Sequence, residues 1–231
     1  MTQTVLNSRT MTLWVLTCAR LMREHQAYLT HLDSAIGDAD HGANMTRGFN
    51  AAEGRLSELA PGTPPGEVLV ITGQTLVTSI GGASGPLWGA VFRRTGKTLS
   101  GLEIVTPAQF TDALDKGLVA VMELGAAEPG DKTMVDALSP AVDALKTALR
   151  DGPALLTAFE QAQRAATEGA HSTTPMLARK GRASYLGERS VGHQDPGAAS
   201  TALIVTALYQ VLSGQMLSDQ VLRDQPLRDP R

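Results

Sequence analysis

Three carboxylates stand close together in the stretch LDSAIGDADHGANM, which covers residues 32–45. Asp38 and Asp40 are two positions apart beside a glycine, so an extended backbone would project both side chains to one side, and Asp33 can lean over the same space. Like charges this close repel one another, which favours a cation between them. Carboxylates without cysteine or paired histidines suit Mg²⁺ or Ca²⁺ and are poor ligands for zinc. The stretch therefore predicts a hard divalent metal site.

Two other interpretations of this stretch can be compared with the metal site. A calcium-binding EF-hand loop beginning at Asp38 would require a glycine and a glutamate where the chain has Ala43 and Phe49, so this motif is excluded. The aspartates could instead only cap a helix, with Asp40 as the N-cap near the positive helix end. Three aspartates around one glycine turn favour the metal.

Magnesium held by aspartates commonly meets a phosphate, and the chain offers two candidate phosphate-binding segments. The sequence TGKT at 95–98 resembles the end of a P-loop, but Val91 replaces the first glycine of that motif and no strand precedes it, so a P-loop is excluded. The segment GGASG at 81–85 offers backbone N–H groups at a helix start, which bind anions well. A tight turn between two helices explains GGASG equally well.

A long polar stretch, ARKGRASYLGERSVGHQDPGA, contains further candidates. Arg182 and Arg189 could neutralise phosphate, because guanidinium groups match phosphate oxygens in geometry. A solvated basic loop is the alternative. Asp195 and Pro196 suit the N-cap and first position of the next helix, a role that requires no ligand.

Amphipathic helices must position these segments. Met45, Phe49, Ala52, Leu56 and Leu59 recur with helical spacing, and a capping box at 106–109 predicts another helix start. A proline at position 140 predicts a kink or break. The periodicity predicts eight helices, near residues 10–31, 42–59, 66–80, 85–98, 107–124, 133–149, 153–177 and 197–213.

Short connections between such helices indicate an all-α, antiparallel bundle. If the helices alternate in direction, the connections 1–2, 3–4, 5–6 and 7–8 lie at one end. These are the aspartate stretch, GGASG, the segment GAAEPGDKTM at 125–134, and the arginine-rich stretch. The four unusual connections are therefore predicted to converge by topology alone.

Composition narrows the class of protein. The net charge is −3, and the basic residues form no continuous stripe along the sequence. This distribution disfavours direct nucleic-acid binding. The single cysteine, Cys18, allows no internal disulfide, and no secretory signal or membrane-spanning segment is evident, so a cytoplasmic protein is expected. His41 and His193 have no nucleophile at a motif spacing that would indicate a hydrolase triad. We expect one domain at 1–213 and a polar tail at 214–231.

Together, LDSAIGDADHGANM, GGASGPLWG, EPGDKTM and GRASYLGERSVGHQDPGA closely resemble the nucleotide-binding domain of dihydroxyacetone kinases, over residues 10–213. The resemblance implies a barrel of eight antiparallel helices with the nucleotide at one end. It implies that two Mg²⁺ ions are held by Asp33, Asp38 and Asp40, and that these carboxylates and Arg182 form the catalytic group. The implied nucleotide-binding residues are His41, Gly42, Ala43, Asn44, Ala83, Ser84, Gly125, Thr133, Met134, Arg182, Asp195, Pro196 and Gly197.

A chain of this size, with a single domain of this type, resembles the nucleotide-binding subunit of phosphoenolpyruvate-dependent dihydroxyacetone kinases. In such a system ADP is a bound coenzyme that accepts a phosphoryl group from a phosphohistidine protein of the phosphotransferase system. The group then passes to dihydroxyacetone on a partner subunit. Two alternatives remain: an ATP-dependent kinase subunit for another small ketose or polyol, and a nucleotide-dependent coregulator that contacts a transcription regulator.

Overall fold

The computed structural model describes residues 6–152 and 155–214, and this part of the chain is almost entirely helical. The all-α class predicted from periodicity is confirmed. The helices are α1 (Ser8–Glu24), α2 (Gln26–Ile36), α3 (His41–Leu56), α4 (Pro65–Ser79), α5 (Ser84–Thr98), α6 (Pro107–Gly125), α7 (Val135–Asp151), α8 (Leu155–Ser172) and α9 (Pro196–Leu212). A 3-10 segment, Arg182–Ser190, precedes α9.

The first predicted helix is two helices in the structure, because the helical conformation is interrupted at His25. This residue ends α1 and begins α2, and its side chain makes no capping hydrogen bond. The periodicity of residues 10–31 spans both helices, and α2 continues five residues beyond that prediction, to Ile36. The break gives α2 its own direction, and Asp33 lies in its last turn.

Local capping chemistry fixes several helix starts as predicted. The hydroxyl of Thr106 accepts a hydrogen bond from the N–H of Gln109 at 3.2 Å, and the Gln109 side chain accepts one from the N–H of Thr106 at 2.9 Å. Asn7 and Thr10 form a similar capping box at the start of α1. These reciprocal bonds satisfy backbone donors that the first helical turn leaves free.

The helices contact one another in chain order. Each helix from α3 to α9 contacts the next, α1 contacts α3, and α9 returns to α1. Aromatic rings fill the space between them: the ring centroid of Trp14 lies 5.2 Å from that of Phe92 and 5.8 Å from that of Phe110. Phe110 in turn lies 6.1 Å from Phe159. These buried rings connect α1, α5, α6 and α8 in one core.

Two reciprocal pairs of glycines bring the backbones of α4 and α5 into contact. A Cβ atom on Gly66 would lie 2.6 Å from the carbonyl oxygen of Gly96, and one on Gly96 would meet the carbonyl of Gly66. Two helical turns further along α4, a Cβ atom on Gly73 would lie 2.8 Å from the carbonyl oxygen of Gly89. No side chain fits at these positions, so the two helices approach more closely than ordinary packing allows.

Helix α7 continues through Pro140, so of the predicted kink or break the break does not occur. Proline cannot donate the hydrogen bond that the carbonyl of Asp136 would receive inside a helix. That carbonyl instead packs against Gly169 of α8, where a Cβ atom would collide with it. The proline therefore lies at a close contact between α7 and α8.

Two further features complete the described part of the chain. Leu6–Asn7 and Ile104–Val105 form a short antiparallel sheet that joins the start of α1 to the connection before α6. Helix α8 ends at Ser172, five residues before its predicted end, which lengthens the following loop. Among the helices described, none is both long and apolar enough to cross a membrane. Apart from Gly214, the predicted tail lies outside the described residues.

We predict that Gly96→Ala lowers the free energy of unfolding by about 2 kcal/mol, because the new methyl group collides with backbone atoms that cannot rotate away. Gly54→Ala is the matched control, since Gly54 is also helical but has no atom within 4 Å of its Cβ position. There the better helix propensity of alanine should stabilise the protein by about 0.5–1 kcal/mol. Urea titration of both variants measures the difference, and equal stabilities would contradict the close contact.

Candidate functional site

The four unusual connections meet around one cavity, a convergence that was predicted from the directions of the helices. They enclose a cavity of about 480 Å³. The α2–α3 connection supplies its carboxylates, the α4–α5 turn supplies glycines, and the α6–α7 connection supplies an apolar wall. The loop before α9 contributes basic residues and the first turn of that helix.

Asp33 is the structural centre of the aspartate stretch. One of its carboxylate oxygens, Oδ2, accepts hydrogen bonds from the N–H groups of Asp40 at 2.8 Å and His41 at 3.0 Å. The other oxygen lies where a Cβ atom of Gly37 would be, so this position requires glycine. Asp40 occupies the N-cap position of α3, yet its side chain makes no capping hydrogen bond. Asp33 therefore provides the capping carboxylate from the preceding helix, and the side chain of Asp40 has no capping function.

The three carboxylates form one cluster. Asp33, Asp38 and Asp40 each place an oxygen within 4.8 Å of the others; Asp33 is buried, and the other two are exposed. A guanidinium nitrogen of Arg182, Nη2, lies 3.0 Å from Oδ2 of Asp38. A cluster of hard oxygen donors that already attracts one cation fits a divalent metal such as Mg²⁺.

His41 connects this cluster to α9 and α5. Its Nε2 lies 3.0 Å from the hydroxyl of Ser200, and that hydroxyl donates to the carbonyl of Gly197 at 3.0 Å. The other ring nitrogen, Nδ1, lies 3.5 Å from the hydroxyl of Ser84. Burial lowers the pKa of His41 even though nearby carboxylates favour its charged form. The ring is therefore neutral near pH 7.

The α4–α5 turn begins α5 without a side-chain cap from the part of the chain that the structure describes. Gly82 has a φ of +66°, and α5 begins at Ser84 with Ala83 before it. No side chain of the described residues caps the first turn of α5. The backbone donors of this turn therefore remain available to an anionic ligand.

Asn44 is oriented by an arginine outside the cavity. Nη2 of Arg47 donates to the side-chain oxygen of Asn44 at 2.7 Å, and Nε of Arg47 donates to the carbonyl of Ser79 at 2.8 Å. This arrangement fixes which end of the Asn44 amide is used within the protein. It also ties the first turn of α3 to the end of α4 beside Gly81, whose Cβ position is 3.1 Å from the Asn44 oxygen.

The opposite wall follows α6. Gly125, Thr133 and Met134 line the cavity there, together with the apolar side chains of Leu87, Val121 and Leu124. The Asp136 carboxylate accepts a hydrogen bond from the N–H of Thr133 at 2.8 Å and another from the N–H of Gly130. Asp136 thereby fixes the shape of this connection, and the wall suits a flat apolar group.

Asp195 closes the site at the start of α9. As predicted, it is the N-cap, and its carboxylate accepts a hydrogen bond from the N–H of Ala198 at 2.6 Å. Burial raises the pKa of Asp195 to about 7, because the hydrogen bond and the nearby ammonium group of Lys132 only partly compensate for the lost hydration. Near neutral pH this side chain is therefore divided between its acid and its carboxylate.

The structure brings together all but two of the residues predicted for the site. Gly42 faces α2, where a Cβ atom would collide with the carbonyl of Gln26, and Ala43 is exposed. Neither lines the cavity. The predicted residues that do line it are Asp33, Asp38, Asp40, His41, Asn44, Ala83, Ser84, Gly125, Thr133, Met134, Arg182, Asp195, Pro196 and Gly197.

Four residues that shape the site had not been predicted from the sequence: Arg47, Lys132, Asp136 and Ser200. The last lies one helical turn after the Asp-Pro-Gly start of α9, and this spacing alone would have placed it near the cavity. Lys132 and Asp136 lie within or beside EPGDKTM. In the sequence, charged residues at a glycine turn look the same as ordinary solvent-exposed side chains. Arg189, weighed as a phosphate ligand, does not line the cavity.

Comparison with known proteins gives a consistent result. A family model, the DAK2 domain, matches residues 35–210. The ADP-binding subunit of PEP-dependent dihydroxyacetone kinase from Escherichia coli strain K12 is 43% identical over 192 residues, which cover 83% of this chain and 91% of that protein. The ADP-binding subunit of PEP-dependent dihydroxyacetone kinase 2 from Listeria innocua is 40% identical over 188 residues, 80% of this chain and 86% of that protein.

A solved structure shows the same fold. The dihydroxyacetone kinase from C. freundii, in complex with AMP-PNP and Mg²⁺, superimposes with a TM-score of 0.66 and is 26% identical. The match covers 89% of this chain but only 33% of that protein, so the chain spans about a third of its length. By its motifs, fold and relatives, the chain belongs to the DAK2 domain family, with the ADP-binding subunits of PEP-dependent dihydroxyacetone kinases.

Proposed function

We propose that the chain is the ADP-binding subunit of a dihydroxyacetone kinase. ADP would remain bound as a coenzyme, accept a phosphoryl group from a phosphohistidine protein of the phosphotransferase system and pass it to dihydroxyacetone on a partner subunit. One observation carries this proposal. The cavity joins three clustered carboxylates, an uncapped glycine turn and an apolar wall, in a chain 43% identical to such a subunit.

The cavity offers each part of ADP a matching surface. The apolar wall of α6 would take the adenine, beside Gly125 and Met134. The turn at Ala83 and Ser84 would bind the diphosphate through backbone N–H groups, and a helix N-terminus adds a favourable dipole. This arrangement would place the terminal phosphate between α5 and the carboxylate cluster.

Asp33, Asp38 and Asp40 would hold magnesium, and we propose two ions for the three carboxylates. The fit is chemical, since all three donors are hard oxygens and their mutual repulsion requires positive charge nearby. Bound magnesium would neutralise negative charge on the phosphates and help orient them. Oδ2 of Asp33 already accepts hydrogen bonds from two backbone N–H groups. Asp33 would therefore bind metal through carboxylate lone pairs that these two bonds leave free.

The chain's own residues would act mainly by electrostatics and positioning. Arg182 would lend positive charge to the transferring phosphoryl group, which develops negative charge on its equatorial oxygens. Burial lowers the pKa of His41, which favours a neutral ring that would not repel a cation. No general base for dihydroxyacetone is required from this chain, because the partner subunit would bring the substrate.

We also propose that the fold is a closed barrel of eight helical segments. The ring of contacts from α1 through α3–α9 and back to α1 supports this arrangement. In this barrel α1 and α2 together form one helical segment, which is interrupted at His25. The site then lies at one open end, where a partner protein can reach the phosphates.

The relatives that match this chain along most of their own length favour this proposal over the two alternatives. Relatives that match this chain along most of their length are named as ADP-binding subunits of PEP-dependent kinases. That naming favours a donor linked to phosphoenolpyruvate over freely exchanging ATP.

Reconstitution tests the proposal directly. Purified chain, mixed with a dihydroxyacetone-binding subunit and the phosphohistidine proteins, should form dihydroxyacetone phosphate from phosphoenolpyruvate, and far more slowly from ATP alone. The purified chain should also retain ADP through buffer exchange, since metals and glycine turns enclose the phosphates. Steady turnover with ATP but none with the phosphohistidine donor would contradict the proposed donor.

Substitutions in the carboxylate cluster should separate catalysis from folding. Asp38→Ala and Asp40→Ala should abolish phosphoryl transfer and leave the helical circular dichroism unchanged, because neither side chain caps α3. Asp33→Ala should abolish transfer and also lower the free energy of unfolding by about 1–2 kcal/mol, through loss of the cap. Asp112→Ala, at an exposed position of α6, is the control. A large loss of helix in the Asp38 variant would contradict this division.

Nucleotide affinity should depend on the ionisation of Asp195. Its pKa of about 7 is raised, so the side chain is neutral at lower pH and adds negative charge beside the phosphates as the pH rises. Between about pH 6 and pH 8 the affinity for ADP should fall roughly threefold to tenfold. Asp195→Asn keeps the capping oxygen but cannot ionise. Since ADP itself titrates equally with both proteins, the ratio of their affinities by calorimetry isolates the residue; a constant ratio would contradict the prediction.

A further inference from the structure

Lys132 is buried to an unusual degree. Only 1% of its surface is exposed, and its backbone has a φ of +63°, a conformation that side-chain-bearing residues seldom adopt. Lysine is almost never fully buried unless its ammonium group is paired. The position therefore calls for a specific function of that group.

The three donors of the ammonium group are used on three backbone carbonyls. Nζ donates to the carbonyl of Thr173 at 2.7 Å, to that of Thr174 at 3.5 Å, and to that of His193. The first two carbonyls follow α8, and the third precedes α9. We call the segment between these helices, residues 173–195, the arginine loop. Lys132 thus joins both ends of the arginine loop.

Other bonds at the same place complete a narrow neck. The N–H of Gly192 donates to the carbonyl of Thr174 at 2.8 Å, and the N–H of Asp195 donates to the hydroxyl of Thr173 at 2.9 Å. The N–H of Arg179 donates to the carbonyl of Asp131 at 3.1 Å, next to Lys132. Lys132 and Thr173 are buried, whereas Gly192 and His193 are exposed, so removing the ammonium group would leave the buried carbonyl oxygen of Thr173 without this partner, which is costly.

The arginine loop carries the cation of the site. Arg182 and its neighbours Lys180, Gly181 and Ala183 line the cavity, and Arg182 reaches Asp38 at 3.0 Å. The side chain of Arg182 is largely exposed, so local packing does little to hold it. Its position over the carboxylates depends on how the loop is fixed at its ends.

We propose that Lys132 is a positioning residue, whose buried ammonium group closes the neck of the arginine loop and thereby holds Arg182 over the carboxylate cluster. Its effect on the loop is independent of any ligand. Its effect on nucleotide binding rests on the proposed function, in which Arg182 meets the phosphates.

Trypsin tests the first part, since Arg179, Lys180, Arg182 and Arg189 place cleavage sites within the loop. In the ligand-free protein, Lys132→Met should speed cleavage within 173–195 by about tenfold or more, because loss of charged hydrogen bonds favours the open loop. Lys132→Arg should restore part of the protection. Lys146→Met, which breaks an exposed ion pair with Asp115, is the control and should not change cleavage. Unchanged cleavage in Lys132→Met would overturn the proposal.

A double-mutant cycle with Arg182→Gln tests the second part. Calorimetric titration with ADP and magnesium should show that Arg182→Gln weakens binding about tenfold in the native background, but about twofold in Lys132→Met, where Arg182 is no longer held. An undiminished effect in that background would overturn the positioning function. If the native chain binds no ADP, the proposed function fails, while the trypsin result still decides whether Lys132 closes the loop.

Lys132→Gln provides the same measurements if Lys132→Met loses its helical circular dichroism, since glutamine retains an N–H₂ donor group. In that variant, hydrogen exchange at the N–H of Gly192, which bonds to Thr174, should accelerate more than exchange in α4 and α5. Uniform acceleration across the protein would mean general destabilisation and would overturn the proposal.

Discussion

The carboxylate of Asp33 is the interaction on which the site depends. It receives two backbone N–H groups at the start of α3 and thereby turns the chain between α2 and α3. The first turn of α3 carries His41 and Asn44, so their positions follow from the same bonds. Because Asp33 also belongs to the carboxylate cluster, the residue that starts the helix contributes charge to the site. A cation that binds this cluster would also stabilise the fold, by mass action.

Charge around the cavity is balanced by groups from distant parts of the chain, some of them buried and some exposed. The cluster of carboxylates faces Arg182, and Asp195 lies near Lys132. Burial shifts the pKa values of His41 and Asp195 toward their neutral forms, which limits the charge that must be desolvated. The cavity can therefore collect several acidic residues without destabilising the helices that carry them.

Local patterns in the sequence predicted most of the helices and the convergence of four connections, because capping, periodicity and glycine turns act over a few residues. Most of the individual nucleotide-binding residues came instead from the resemblance to a known family. The capping box at Thr106 and the cap at Asp195 are confirmed. The break at His25 was missed, because apolar spacing continues across it. The buried ammonium group of Lys132 was missed for another reason: its carbonyl partners lie more than forty residues away, and no local signal distinguishes it from a surface lysine. Gly42 was assigned to the nucleotide through resemblance, whereas its contact is with α2.

The glycine contacts between α4 and α5 have a consequence for the α4–α5 turn, residues 81–84, which we propose binds phosphate. Backbones that touch at two levels cannot slide past one another, so the turn at residues 81–84 is held at fixed length and orientation from below. The conformational entropy of ordering that turn is then lost during folding and not during ligand capture. A phosphate-binding turn formed in this way can hold its ligand tightly without a closing motion, which suits a coenzyme that stays bound through many catalytic cycles.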